Sequence, residues 1–188
     1  LLASDKKPCA VYLTSPDYLG TLSDIKGIAA VCQAHKIPLL VDNAHGAYLK
    51  FLEEDLHPAT LGATMTCDSA HKTLPVLTGG AYLHIAKDAD PYFVENARIA
   101  LASFASTSPS YLILSSLDLC NAYLDEQGKA EFAACAKSVS DLKTYLTSLG
   151  FTFFGNEFLK LCIYAPDFGY FGYELAALLS DCKIECEF

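Results

Sequence analysis

The chain has 188 residues, 52% of them apolar and 12% aromatic, with eight cysteines and a formal net charge of −9. That is enough apolar material for the core of one domain or one and a half. The acidic balance argues against a nucleic-acid partner, which calls for a basic stripe, and the apolar runs are too short for a membrane span; residues 1–15 do not read as a secretory signal.

The cysteines stand at 9, 32, 67, 120, 135, 162, 182 and 186, without paired C-x-x-C spacing. They are expected to be reduced and mostly buried thiols of a cytoplasmic protein, and no metal site is expected.

Taken in order, residues 9–14 read as a first strand, followed by a loop of turn formers, Ser15-Pro16-Asp17-Tyr18-Leu19-Gly20. A helix is expected over 22–36, where Ile25, Ile28, Ala29 and Cys32 share a face and Thr21 or Ser23 supplies the cap. His35 falls near its end, at the surface, and Pro38 stops it. Residues 39–41 form the next strand, which makes a right-handed parallel β-α-β unit.

Glu53-Glu54-Asp55 reads as a solvated run and His57-Pro58 as a surface turn without a role. The apolar run 63–67 reads as a buried strand. Thr78-Gly79-Gly80 is a turn, and 81–85 alternates as a further strand in which His84 is structural.

Three helices follow. The first, 91–104, has Pro91 in its opening turn and Phe93, Ala97, Leu101 and Phe104 on one face. The second, 111–124, is apolar through Ile113, Leu117, Cys120 and Leu124. The third, 129–149, carries a stripe from Phe132 to Leu149 and is closed by Gly150. Gln127-Gly128 interrupts the pattern and is the expected boundary between residues 1–127 and 128–188. Strands at 151–154, 159–164 and 183–187 and a helix at 172–180 complete the chain. A first residue other than methionine, and a last run that reads as a strand, are expected of a piece of a longer polypeptide, with material missing on both sides.

Two segments carry chemistry. Leu39-Leu40-Val41-Asp42-Asn43-Ala44-His45-Gly46 is an apolar strand that ends in an acid and a histidine; Asp68-Ser69-Ala70-His71-Lys72-Thr73-Leu74-Pro75 follows a second strand with a single lysine. In an open parallel sheet, ligands sit beyond the carboxyl ends of the strands, so Asp42 and Lys72 are expected to face one crevice. A lysine amine forms an imine with a carbonyl, and a carboxylate keeps a pyridine nitrogen protonated so that the ring accepts electrons. The pair therefore reads as a site for pyridoxal 5'-phosphate held as a Schiff base on Lys72.

Four blocks in order, Ser15-Pro16-Asp17-Tyr18 with Asp24-Ile25-Lys26, Val41 to Gly46, Ser69 to Pro75, and Ser106-Thr107-Ser108-Pro109-Ser110-Tyr111, resemble the major domain of the bacterial ornithine/lysine/arginine decarboxylases. The resemblance covers most of the chain, most clearly residues 10–125. It implies an α/β fold of three layers around a mostly parallel sheet, as in the aspartate-aminotransferase-like (fold type I) pyridoxal phosphate enzymes, with residues 1–127 part of the cofactor-binding large domain and 128–188 the start of a small α+β C-terminal domain. The implied reaction is decarboxylation of lysine, arginine or ornithine to an amine and carbon dioxide, in a cytoplasmic homodimer or higher homo-oligomer.

Residue by residue, the resemblance makes Lys72 the Schiff-base lysine and a proton donor to the α-carbon, and Asp42 the partner of the pyridinium nitrogen. Ala44 is the small residue beneath the ring, and His45 a partner of its 3-hydroxyl oxygen. Ser69 and His71 are implied as phosphate or ring contacts, and Thr107 and Ser108 as neighbours of the phosphate across a subunit boundary. Asn43 stands where the family has glutamate. No glycine-rich phosphate loop precedes Asp42, and no arginine of the C-terminal segment can be named for a substrate carboxylate. The alternatives are another reaction of the same fold, aminotransferase-like, or a fragment inactive for want of the phosphate loop.

Overall fold

A four-stranded sheet in the order β1-β2-β3-β4 lies at the centre of the computed structural model, which describes residues 7–187. Strands β1 (Val11–Thr14), β2 (Leu39–Asp42) and β3 (Met65–Asp68) run parallel, and β4 (Tyr82–Ile85) runs antiparallel beside β3. The register sets Thr14, Asp42, Cys67 and Leu83 in one row across the sheet.

Helix α1 (Ile25–Ala34) is the crossover between β1 and β2. Its cap is Asp24, whose carboxylate accepts the Gly27 N–H at 2.9 Å, rather than Thr21 or Ser23. The expected apolar face is real: Ile25, Ala29 and Cys32 are buried against Leu39, Val41 and Ala63. Because side chains alternate along a strand, β2 gives Leu39 and Val41 to this core and turns Leu40 and Asp42 the other way. That second face carries Tyr12, Thr14, Leu40, Asp42, Met65 and Cys67, none of them buried.

A second core forms around the 3₁₀ turn Ala47–Phe51, where Tyr48 and Leu49 are sealed from solvent with Leu74, Cys120 and Leu124. The short helix α2 (Ala70–Thr73) enters it through Ala70. Helix α3 (Pro91–Phe104) starts as expected, with Pro91 in its first turn and Asp90 as cap, but none of its residues is buried. Its predicted apolar face meets no core, and Phe104 is 94% exposed.

Helix α4 (Tyr111–Tyr123) packs through Leu117 and Cys120. It runs into α5 (Lys129–Ser148) through a π turn, Leu124–Gly128, so Gln127-Gly128 widens the helix without breaking it. On α5 only the first part of the stripe reaches the core: Phe132 stacks on Tyr48 and Phe51 at 6.0 and 5.9 Å, while Leu142 and Leu149 are exposed.

Strands β5 (Phe153–Phe154) and β6 (Cys162–Ile163) pair antiparallel, and α6 (Gly172–Asp181) follows. Residues 184–187 form no strand, so the expected last strand is absent among the described residues. All eight cysteines are free, but only Cys32 and Cys120 are buried and five are exposed, which corrects the expectation of mostly buried thiols. No helix among the described residues is long and apolar enough to cross a membrane.

The segment after α5 is fastened to the first loop of the chain. Asn156 and Glu157 N–H groups both donate to the Gly20 carbonyl at 2.9 Å, and Leu22 N–H donates to Asn156 Oδ1 at 2.7 Å. Gly155 permits this approach: its φ is +79°, and a Cβ there would meet the Gly20 carbonyl oxygen at 2.5 Å. Gly150, at φ +95°, has nothing within 4 Å of such a Cβ. Gly150→Ala should therefore cost only the left-handed strain, about 1 kcal/mol, and Gly155→Ala strain plus collision, about 3 kcal/mol. Chemical denaturation of the two variants measures the difference, and equal losses would show that the close approach is not tight.

Candidate active site

Asp42 sits at the carboxyl end of β2, half-buried on the face away from α1. Its Oδ1 accepts the Ala44 N–H at 3.1 Å and its Oδ2 the Tyr12 hydroxyl at 3.3 Å. Burial pushes the Tyr12 phenol up, and the Asp42 charge adds to it. The chain then turns through Asn43 and Ala44 and buries His45.

Lys72 lies one turn beyond the end of β3, in α2, with its Nζ 3.2 Å from His45 Nε2. On the other edge of the same ring, Lys160 Nζ is 3.1 Å from Nδ1. Tyr18 meets His45 edge-on at 5.4 Å, and Lys160 lies 5.8 Å from the centre of the Tyr18 ring. Burial, then the charges of Lys160 and Lys72, hold His45 below the ordinary imidazole range against the opposing pull of Glu187 and Asp42. His45 thus meets Lys72, Lys160 and Tyr18, with Asp42 three residues before it at the end of β2.

The other expected residues lie further out. Ala44 is half-buried and uses its N–H on Asp42. Ser69 holds the N-cap position of α2 without a side-chain bond to the helix. His71 turns to the following loop, where its Nδ1 donates to the Gly80 carbonyl at 3.0 Å. Thr107 and Ser108 are exposed between α3 and α4.

Behind the site is a buried charge. Asp68, the last residue of β3, takes a hydrogen bond from Asn43 Nδ2 at 2.9 Å on one oxygen. Its other oxygen faces His57 Nε2 at 2.8 Å and His84 Nε2 at 3.2 Å. His57 is therefore buried, not part of a surface turn, because the carboxylate needs its N–H. Burial pushes the Asp68 carboxyl up, but the hydrogen bonds from His57, His84 and Asn43 outweigh it and hold it well below the usual carboxylate range.

The ligand atoms of His57, Asp68 and His84 lie within 4.8 Å of one another, a spacing a metal ion can use. However, His57 Nδ1 accepts the Ala59 N–H at 3.2 Å, which puts the ring proton on Nε2, the atom aimed at Asp68. The three groups satisfy one another by hydrogen bonding. Asn43 turns away from Asp42, as strand alternation requires, and is fully buried; a Cβ on Gly46 would meet its Oδ1 at 2.1 Å, so only glycine fits there.

Glu157, 2% exposed, fixes the approach of Lys160. Its carboxylate takes the Tyr48 hydroxyl at 2.5 Å and the Leu159 N–H at 2.9 Å, and its carbonyl takes Lys143 Nζ at 2.7 Å. Burial and then the Glu157 charge push the Tyr48 phenol far up. Sequence reasoning missed Glu157 and Lys160, which carry no local motif, and missed Asp68, although it directly precedes the lysine block.

Asp68→Asn should cost about 2 kcal/mol near neutral pH, the scale of losing hydrogen bonds to a buried charged group. A carboxyl depressed by folding stabilises above its unfolded value, near 3.9, and that stability is lost as pH falls from there towards the folded value. The gap between wild type and Asp68→Asn, read from urea midpoints, should hold from pH 7 to 5 and close below about pH 4. A gap that widened in acid would refute the anionic clamp.

The family model described as "Orn/Lys/Arg decarboxylase, major domain" matches residues 2–168. An uncharacterized protein, YaaO, of Bacillus subtilis (strain 168) is 39% identical over 117 residues, covering 60% of this chain and 23% of its own length. An arginine decarboxylase of Bacillus anthracis is 31% identical over 128 residues, 68% of this chain and 25% of that protein. The chain thus spans about a quarter of these relatives. Among solved structures, the lysine decarboxylase LdcF of Francisella novicida superposes with a TM-score of 0.63 at 25% identity, over 77% of this chain and 21% of that one. Mouse CSAD, at 19% identity and a TM-score of 0.54 over 93% of this chain and 41% of that one, shares the fold. A mostly parallel α/β sheet, the lysine block at its carboxyl edge and a family match over most of the sequence agree: the chain belongs to the Orn/Lys/Arg decarboxylase family, in its major domain.

Proposed function

We propose that the protein decarboxylates a basic amino acid, arginine, lysine or ornithine, with pyridoxal 5'-phosphate carried on Lys72. The observation that carries this reading is the contact of the Lys72 amine with His45, on an imidazole that also feels the Asp42 carboxylate. The donor set fits the cofactor. Asp42 offers a half-buried carboxylate to a pyridinium N–H, Lys72 a primary amine to an aldehyde, and His45 a ring nitrogen to a phenolic oxygen. Ser69 and His71, with Thr107 and Ser108 across a subunit boundary, are the residues proposed for the phosphate.

When bound, the cofactor supplies an electron sink for the bond from the α-carbon to the carboxyl group. The chain supplies placement and protons. Asp42 holds a positive charge at the ring nitrogen, and Tyr12 and the Ala44 N–H fix the orientation of its carboxylate. Ala44 keeps the floor of the site low. His45 orients the Lys72 amine, which then returns a proton to the α-carbon.

The same reading makes the protein a cytoplasmic homodimer or higher homo-oligomer, with residues 1–127 in its large domain and 128–188 opening a small one. The support for an oligomer is the exposed apolar surface of α3 and α4, where Ile99, Phe104, Tyr111 and Leu119 are at least 68% exposed.

Lys72→Ala should abolish the visible band that forms with pyridoxal phosphate, and borohydride should no longer attach cofactor mass to the peptide spanning residue 72. Release of carbon dioxide from the best of the three amino acids should fall by roughly 10³-fold, within the usual span for loss of a proton-transfer group. A keto acid in place of an amine as product would move the protein to a transaminating function. A band that survives in Lys72→Ala would overturn the reading.

A further inference from the structure

Hydrogen-bond accounting at His45 leaves one position unfilled. Lys72 Nζ faces Nε2 at 3.2 Å and Lys160 Nζ faces Nδ1 at 3.1 Å. An ammonium group only donates, and a neutral imidazole has one acceptor nitrogen, because the other carries the proton. With both lysines charged, one of these contacts sets donor against donor. A charged ring would make both contacts so, and burial and the two lysines disfavour that form. Among the described residues neither lysine has a carboxylate within ion-pair distance. The cluster is short of one acceptor.

Lys160 is also not a free surface lysine. It is half-buried and lies over Tyr18, and its backbone is set by Glu157, three residues before it, through the buried Tyr48 bond. The geometry points to Lys160 as the residue that takes the carboxylate of the amino-acid substrate, next to the Lys72 amine. This rests on the function proposed above. The substrate's amine would take the place of the Lys72 amine, with its carboxylate one carbon away; Lys160 approaches the opposite edge of the same His45 ring, 3.1 Å from Nδ1. A carboxylate brings acceptors only, which is what the two lysines and the ring lack.

The contact works on affinity. The carboxyl group leaves as neutral carbon dioxide, so a cation that holds it stabilises the bound amino acid at least as well as the state in which its charge has moved into the ring. Binding of that kind lowers KM without raising kcat.

The test compares wild type, Lys160→Met and Lys160→Arg. Calorimetry on the cofactor-free protein reads the affinities for arginine, lysine, ornithine, the amine each leaves after decarboxylation, and inorganic phosphate. Lys160→Met should weaken the amino acid about tenfold, the scale of one charge-assisted hydrogen bond, and leave the amine unchanged. Lys160→Arg should restore most of the loss. In the cofactor-loaded protein KM should rise about tenfold in Lys160→Met with kcat undiminished. Thermal midpoints and borohydride trapping at Lys72 verify that the variant is folded and takes cofactor. Equal weakening of amino acid and amine, weakening of phosphate alone, or wild-type affinities that do not distinguish amino acid from amine would each overturn the assignment. Failure of every variant, wild type included, to trap cofactor on Lys72 would instead overturn the proposed function.

Discussion

Asp68 is a carboxylate with almost no access to water, at the point where β3 hands the chain to the lysine helix. An anion in that position is tolerable only if donors surround it, and three do: Asn43 from the tip of β2, His57 from the loop before β3, and His84 from β4. The consequence is mechanical. Asn43 follows Asp42 directly, and Asp68 lies four residues before Lys72, so one hydrogen bond ties together the two strand ends that carry the candidate chemistry. The parallel ladder alone would leave those ends free to fray. The clamp makes the spacing of Asp42 and the lysine helix a property of the core.

A second buried pair does the same for the far end of the chain. Tyr48 is completely enclosed, and its hydroxyl would be costly without an acceptor. Glu157 provides it and is held in turn by Leu159 and Lys143. Together with the Gly155 approach to Gly20, this seats residues 155–160 against the loop that carries Tyr18 and delivers Lys160 to His45. The wall of the site is thus built from segments more than a hundred residues apart, and each is fixed by a polar group that must be satisfied.

What was legible in the sequence follows from this. Strands β1 to β4 and α1 are local objects, and apolar period and turn residues place them within a few residues, whereas the lysine segment, which reads as a loop, forms the one-turn helix α2. The approach of the His45 and Lys72 segments could be read because parallel strands bring their carboxyl ends to one edge. Burial of polar side chains could not. His57-Pro58 reads as a surface turn until Asp68 is seen to need an N–H, and Asp68 reads as a polar strand end until its neighbours are known. The α3 stripe misled for the opposite reason: an apolar face announces that something covers it, not that the covering element is near. The final strand failed because residues 184–187 have no partner among the described residues, and a strand is a pairing rather than a local conformation.

Charge adds the last step. The chain carries 22 acids against 13 lysines and arginines, yet two of its lysines converge on one buried imidazole at the end of the sheet. A field that is negative overall and positive at one point suits a molecule with a cationic body and a single anionic group. A basic amino acid has that distribution. Under the proposed function, the acidic surface would draw its side chain and α-ammonium, and the Lys72–His45–Lys160 cluster would accept the carboxylate that a simple amine lacks. The amine, lacking that group, would keep only the weaker attraction to the surface, so the arrangement proposed to gather the amino acid would also favour release of the amine.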